Sequence, residues 1–355
     1  MTRMTDLKGA MDTTRATAAI DAIVAGLPVE LAAARCFPMH GALLLFDRDT
    51  GRNVLCDGPE TAGLRPVAPR VVQFGITNRC NLACGFCSRD LDAASSWTAD
   101  SAFAMLAGLA AAGVLEVAFG GGEPWTFRGF AELVRRLHAE TPLAINVTTN
   151  GLALTPARLA EIAGCYGQLR ISLYDDNDWR TRVAMCAAAG ARFGVNYLVT
   201  PARLPDLDAT VLELAALGCR DVLLLSYNGR DAALHLSPAE AAELAVRVQR
   251  LGRALAPCRI ALDVCWGERL EAVPRLFTKA DCGAGADFLV ITSDQRVMPC
   301  SFHHVALPAR TADDVMAIWR ARQLLLATPS RLPGCARLPQ FGLAEPAPIT
   351  LRRTS

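Results

Sequence analysis

Lysine is almost missing from this chain of 355 residues: Lys8 and Lys279 are the only two, so arginine carries nearly all of the positive charge. That skew reads as base composition rather than function, because 36 basic and 35 acidic residues leave a formal net charge of only +1. A chain so balanced has no field to gather nucleic acid or an anionic membrane surface. Long apolar runs are lacking as well. No stretch approaches the ~20 residues of a membrane span, and the start of the chain has no signal-peptide core. Low-complexity segments are also missing. Cysteine, by contrast, is plentiful, with thirteen residues. Without an export signal these thiols point away from disulfides, toward metal ligands and buried packing, and the expected compartment is the cytoplasm.

A composition of 52% hydrophobic and 20% charged residues over this length supports a large core, in two domains or in one with appendages. Ala16, Ile20, Ile23, Val24, Leu27 and Leu31 recur at helical spacing, and a hairpin follows over 42–46 and 53–56 around Asp47–Gly51. Pro59, Pro66 and Pro69 make a linker. From Arg70 onward the chain alternates. Apolar strand-like runs begin near Val71, Leu115, Leu143, Gln168, Phe193 and Asp221, with Ala- and Leu-rich helical patterns between them. Near-continuous apolar strands suit a parallel sheet covered by helices. Six such units are too few for a closed eight-stranded barrel, so the expected fold is α/β, an open partial (β/α)6 barrel. After Pro257 the rhythm breaks into a further strand over 259–264, a hairpin over 287–298, a helix near 311–326 and a proline-rich tail. The expected organisation is thus an α+β appendage over 1–69, a barrel over 70–257 and a C-terminal unit over 258–355.

The first barrel strand runs into Cys80-Asn-Leu-Ala-Cys84-Gly-Phe-Cys87, three thiols within eight residues. Such thiols can converge on one centre, and soft thiolates suit zinc or an iron–sulfur cluster. Three ligands leave one position open, as a catalytic centre requires. One βα unit later, the second strand ends in Phe119-Gly120-Gly121-Gly122-Glu123-Pro124. Ligands gather at the carboxyl ends of parallel strands. There, bare glycine backbone can approach a ligand, and Glu123 can meet a cation.

Together the thiol triplet and the glycine run resemble the radical S-adenosylmethionine (SAM) superfamily over roughly residues 70–260. The resemblance implies that Cys80, Cys84 and Cys87 hold three irons of a [4Fe–4S] cluster whose fourth iron is chelated by SAM. It further implies that Phe86 lies near the adenine, that Gly120, Gly121, Gly122 and Glu123 form the motif that receives the SAM amino group, and that Ser172 bonds the SAM ribose or carboxylate. Asp175, Asp176, Asn150-Gly151 and Asn196 are secondary pocket candidates that turns or caps explain equally well. A zinc site completed by a distant ligand is the other reading of the triplet.

A second constellation, Cys282 and Cys300 flanking the predicted hairpin, resembles the SPASM/twitch extension of radical SAM enzymes, which carries an auxiliary iron–sulfur cluster. Cys335 matches a later ligand, yet leucines stand at 332 and 338 where a CxxC partner belongs. One auxiliary [4Fe–4S] cluster is therefore expected, with Cys265 the best candidate for its fourth ligand and an open iron that could bind substrate as the alternative. Cys36, Cys56, Cys165, Cys186, Cys219 and Cys258 are assigned to packing. Trp125, Phe127 and Phe130 are assigned to the core, and His303 and His304 to an exposed loop.

The resemblance implies an enzyme that takes one electron from flavodoxin or ferredoxin, cleaves SAM to a 5′-deoxyadenosyl radical and abstracts a substrate hydrogen. A ribosomally made peptide is the first choice of substrate, the modification being a crosslink, an oxidation or an epimerisation. A small-molecule dehydrogenase or epimerase, as in aminoglycoside biosynthesis, is the enzymatic alternative. A non-catalytic iron–sulfur or zinc protein is the alternative of another class.

Overall fold

The structure is a computed structural model that describes residues 13–28, 31, 34–174, 177–255, 257–270, 282–321 and 329–335. The N-terminal part is helix α1 (Thr13–Ala25) on an antiparallel sheet of β1 (Arg35–Pro38), β2 (Ala42–Phe46) and β3 (Asn53–Asp57). Alternation along β2 splits its side chains between two cores. Leu43 and Leu45 join Leu64 beneath Ala16, Ile20 and Ile23 of α1, whereas Phe37, Leu44 and Phe46 press on Leu115 and Ala144 of the barrel. Arg35 fastens that contact by donating to the carbonyls of Val114, Leu115 and Pro142. The appendage therefore packs on the amino-terminal rim of the barrel strands, the end opposite the cysteine loop.

The barrel follows as β4 (Val71–Thr77), α2 (Ala99–Ala111), β5 (Glu116–Gly121), α3 (Phe130–Glu140), β6 (Ala144–Thr149), α4 (Pro156–Glu161), β7 (Gln168–Ser172), α5 (Trp179–Ala188), β8 (Phe193–Val199), α6 (Leu207–Ala216), β9 (Asp221–Ser226) and α7 (Pro238–Ala254). All six expected strands are present and pair in parallel in chain order. Most of their residues are buried, and every residue of β8 is. Helix starts are chemically marked. Thr98 with Ser101, and Ser237 with Glu240 ahead of Pro238, form reciprocal capping boxes.

Two features depart from the expected layout. The strand after Pro257, β10 (Arg259–Leu262), does not break the rhythm but adds a seventh parallel strand beside β9. At the other edge, β11 (Phe288–Ile291) pairs in parallel with β4, and β12 (Arg296–Met298) and β13 (Leu307–Pro308) continue antiparallel. One ten-stranded sheet results, in the order β10-β9-β8-β7-β6-β5-β4-β11-β12-β13. The final helix α8 (Ala312–Arg320) begins at a Thr311–Asp314 capping box, and the indole of Trp319 donates to Ala286 O. The hairpin also grips the barrel through Trp97, whose indole donates to Thr292 O. Among the described residues no helix is long and apolar enough to cross a membrane.

Candidate cluster and cofactor site

The loop that follows β4 carries Cys80 and Cys87 at the surface and Cys84 half-buried, with Cys87 N donating to Cys84 O at 3.1 Å to turn the chain. Asn78 anchors the far side of the loop, its amide donating to the carbonyls of Asp90, Leu91 and Ala93. All three thiols lie within electrostatic reach of one phenol, that of Tyr174. Burial pushes this hydroxyl up to about 12, a hydrogen bond with Ser172 opposes the shift, and Cys84, Cys87 and Cys80 add to it. The Phe86 ring leans on the same phenol, with centroids 5.3 Å apart. The structure thus gathers the triplet, Phe86 and Ser172 around Tyr174, a residue that sequence reasoning missed because a tyrosine just past a strand has no distinctive pattern.

The glycine run does a different job at each position. A β-carbon on Gly120 would meet nothing within 4 Å, so this is the position where bare backbone faces open space. On Gly122 it would lie 1.9 Å from Arg79 O and 2.9 Å from Asn78 C. The backbone that Gly122 admits is the cysteine loop's own. Gly122 N donates to Thr77 O at 2.7 Å and Glu123 N to Arg79 O at 2.8 Å, so the turn after β5 clamps the base of that loop.

Glu123 itself faces inward, at 1% exposure. Its carboxylate accepts from Trp125 N (3.3 Å), Thr149 Oγ1 (2.8 Å) and Asn150 N (2.8 Å), and so joins the carboxyl ends of β5 and β6. Burial pushes its carboxyl up, with those three donors and Arg158 opposing. Asn150, in turn, donates from Nδ2 to Asn81 Oδ1 at 2.7 Å and approaches Cys80 Sγ at 3.8 Å. Asn177, fully buried and also missed by the sequence reading, donates to Asn150 O and Ser172 O and accepts from Tyr174 N. Asp175 and Asp176 lie outside the described residues. Trp125 and Phe130 pack in the core as expected, with Phe127 half-buried against them.

Whether SAM fits can be asked of the buried polar groups. Ser172 and Asn196 stand opposite each other on β7 and β8, both buried. Asn196 Oδ1 has no hydrogen-bond partner among the described residues. An orphaned acceptor level with the carboxyl end of β7 suits a ligand that brings hydroxyls and an ammonium. The triplet's soft thiols suit iron. These residues fit both groups.

Cys265 lies within electrostatic reach of Cys282 and Cys300, and Arg269 within reach of Cys265 and Cys335, although β10 forms one edge of the sheet and β12 lies next to the other. Burial pushes the Cys265 thiol up, and Asp263, Cys300 and Cys282 reinforce the shift while Asn228 opposes it. Burial lowers the Arg269 guanidinium, against the pull of Asp263, Cys265 and Cys335. Asp263 accepts from Ser226 N and Cys265 N, and burial raises its carboxyl to about 7. Among the described residues no three His, Cys, Asp or Glu side chains gather as a single-ion site.

His303 departs from the exposed-loop expectation. It is buried at 6% exposure, and its Nδ1 accepts from Val305 N, while exposed His304 stacks on it with centroids 4.5 Å apart. None of the thirteen cysteines forms a disulfide, and the packing assignment suits Cys186 and Cys219, whose thiols burial pushes up to about 11 and about 12.

Comparison with known proteins places these observations. Residues 74–182, from β4 into α5, match the family model described as the Radical SAM superfamily. A curated relative, the PqqA peptide cyclase of Ruegeria pomeroyi, is 28% identical over 273 residues, covering 68% of this chain and 70% of the relative. The crystal structure of Streptococcus suis SuiB bound to S-adenosylmethionine shares the fold, with a TM-score of 0.65 at 15% identity over 81% of this chain and 86% of SuiB. SuiB bound to the precursor peptide SuiA superposes with a TM-score of 0.61 at 16% identity, over 72% of this chain and 65% of that one. The matched segment contains the thiol triplet, the glycine turn and Ser172, and the family match, the peptide cyclase relative and the SuiB fold together support a radical SAM enzyme, a family that implies a [4Fe–4S] cluster and SAM.

Proposed function

We propose that the chain modifies a ribosomally made peptide by removing a hydrogen atom from it. Cys80, Cys84 and Cys87 would hold the cluster, and the reduced cluster with bound SAM supplies a 5′-deoxyadenosyl radical as the hydrogen acceptor. The protein's part is to bind, orient and exclude water. Gly120 leaves room for the ligand's backbone-side approach, and Ser172 and Asn196 offer polar groups to its ribose or amino-acid end. Glu123 acts one step back, holding Asn150 and the strand ends against the cysteine loop. Phe86 and Tyr174 supply an aromatic wall. The observation that carries this reading is the gathering of three thiols around Tyr174 beside the orphaned Asn196 acceptor.

The peptide as substrate is supported by the similarity to a PqqA peptide cyclase and by the peptide-bound SuiB structure. Cys265, Cys282, Cys300 and Cys335 would hold one auxiliary [4Fe–4S] cluster, built from the 258–355 unit onto the edges of the 70–257 barrel. A flavodoxin or ferredoxin would provide the electron. A reducing cytoplasm agrees with thirteen cysteines and no disulfide.

The test is anaerobic turnover of SAM with the reconstituted protein and a precursor peptide encoded nearby. We expect 5′-deoxyadenosine and either a peptide lighter by about two hydrogens or one labelled from solvent deuterium. Cys84→Ala should abolish SAM cleavage, since two thiolates rarely hold a cluster with an open iron. Undiminished cleavage by that variant would overturn the site, and turnover of a sugar or cyclitol alone would overturn the peptide.

A further inference from the structure

Arg269 takes no part in the radical chemistry proposed above, yet it reaches the backbone beside two of the four thiols, Cys265 and Cys335. It lies in the Val264–Leu270 segment after β10. Its Nη2 donates to Ser226 Oγ at 3.0 Å, Cys265 O at 2.5 Å and Gly334 O at 3.4 Å, and its Nε donates to Trp266 O at 3.3 Å. One guanidinium therefore touches the end of β9, the backbone of one thiol and the residue just before another. The tail is fixed at a second point. Ser330 Oγ donates to Phe302 O at 2.5 Å, two residues beyond Cys300. At the first of these anchors Gly334 runs against the residue that follows β9. A β-carbon there would lie 2.5 Å from Tyr227 O, so no larger residue lets the tail come so close.

We infer that Arg269 is a positioning residue for the four-thiol centre, clasping the Cys335 tail to the Cys265 segment and offsetting the negative charge of a bound cluster. The inference rests on the proposed reading of Cys265, Cys282, Cys300 and Cys335 as ligands. The planar fork reaches the hydroxyl and the carbonyls together, which a single ammonium cannot. A four-iron cluster held by four thiolates is net negative, and one-electron reduction makes it more so. A fixed cation beside two of its ligands favours the reduced form.

The experiment uses the full chain with Cys80, Cys84 and Cys87 all changed to alanine, reconstituted with iron and sulfide so that only the second centre reports. Its reduction is followed by electron paramagnetic resonance during a mediated dithionite titration. Removing one charge at this range, with an effective dielectric constant near 20, should lower the reduced-to-oxidised ratio about tenfold in Arg269→Gln, equivalent to about 59 mV for one electron. Arg269→Lys should restore most of the potential. Protease nicking around 329–335 should accelerate in both variants, because neither replaces the fork. Parent-like potential and nicking in an iron-loaded Arg269→Gln protein would overturn the role of Arg269 and leave the cluster reading standing. No iron in the triple-alanine parent would overturn the cluster reading itself. Should Arg269→Gln not fold, unchanged nicking in Arg269→Lys still overturns the clasp.

Discussion

Gly122→Ala isolates the contact on which the cluster loop depends. Read from sequence, the glycine turn exists to admit a ligand, so a side chain there should weaken SAM binding and spare the cluster. The structure reverses that expectation. The new methyl would stand 1.9 Å from Arg79 O and 2.6 Å from Arg79 C, and backbone cannot yield as a flexible side chain can. Relief requires the Asn78–Arg79 segment to move away, breaking the bonds from Gly122 N to Thr77 O and from Glu123 N to Arg79 O. Two backbone hydrogen bonds at about 1 kcal/mol each, with about 1–3 kcal/mol for overpacking, give a destabilisation of about 3–5 kcal/mol. The displaced segment leads directly into Cys80. We therefore expect the variant to unfold at lower urea concentration and to bind less than half of the iron of the first cluster. Gly120→Ala is the control, since its methyl meets nothing within 4 Å: stability and iron should hold while SAM affinity falls. Wild-type urea stability and full iron in Gly122→Ala would refute the clamp.

Two further outcomes follow from the same geometry. Burial raises the Glu123 carboxyl above its ordinary value of 4.5, so the folded chain holds this proton more tightly than the unfolded one. The resulting stability is complete below 4.5 and is lost as pH rises through the folded value. Glu123→Gln should remove that falling limb, and at pH below 4.5 should cost about 1–3 kcal/mol, because one amide face opposes a backbone donor; urea unfolding across pH checks both. Arg35→Ala should weaken docking of the appendage by about 2–3 kcal/mol, speeding proteolysis before Arg70 while leaving peptide-independent SAM cleavage unchanged.

The fold was legible wherever a residue pattern had a single physical outcome. Near-continuous apolar runs at a βα spacing left a buried parallel sheet as the only economical arrangement, and all six strands lie where those runs do. Arg259–Leu262 has the same apolar character, but no further βα unit follows it, so its place as a seventh parallel strand emerges only from its pairing with β9. Site residues were legible when chemistry restricts the residue type, as at three closely spaced cysteines. They were illegible when function is divided between a motif and its support. Glu123 looked like a counter-charge because a carboxylate beside glycines can be one; three inward donors turn it into a brace instead. Asn177 and Tyr174 were invisible because their partners come from other strands, and a buried asparagine is marked only by the carbonyls it meets. Cys265 falls between these cases. Its residue type drew attention, but its nearness to Cys282 and Cys300 joins the segment after β10, at one end of the strand order, to segments flanking β11 and β12 near the other, and no spacing along the chain encodes that approach.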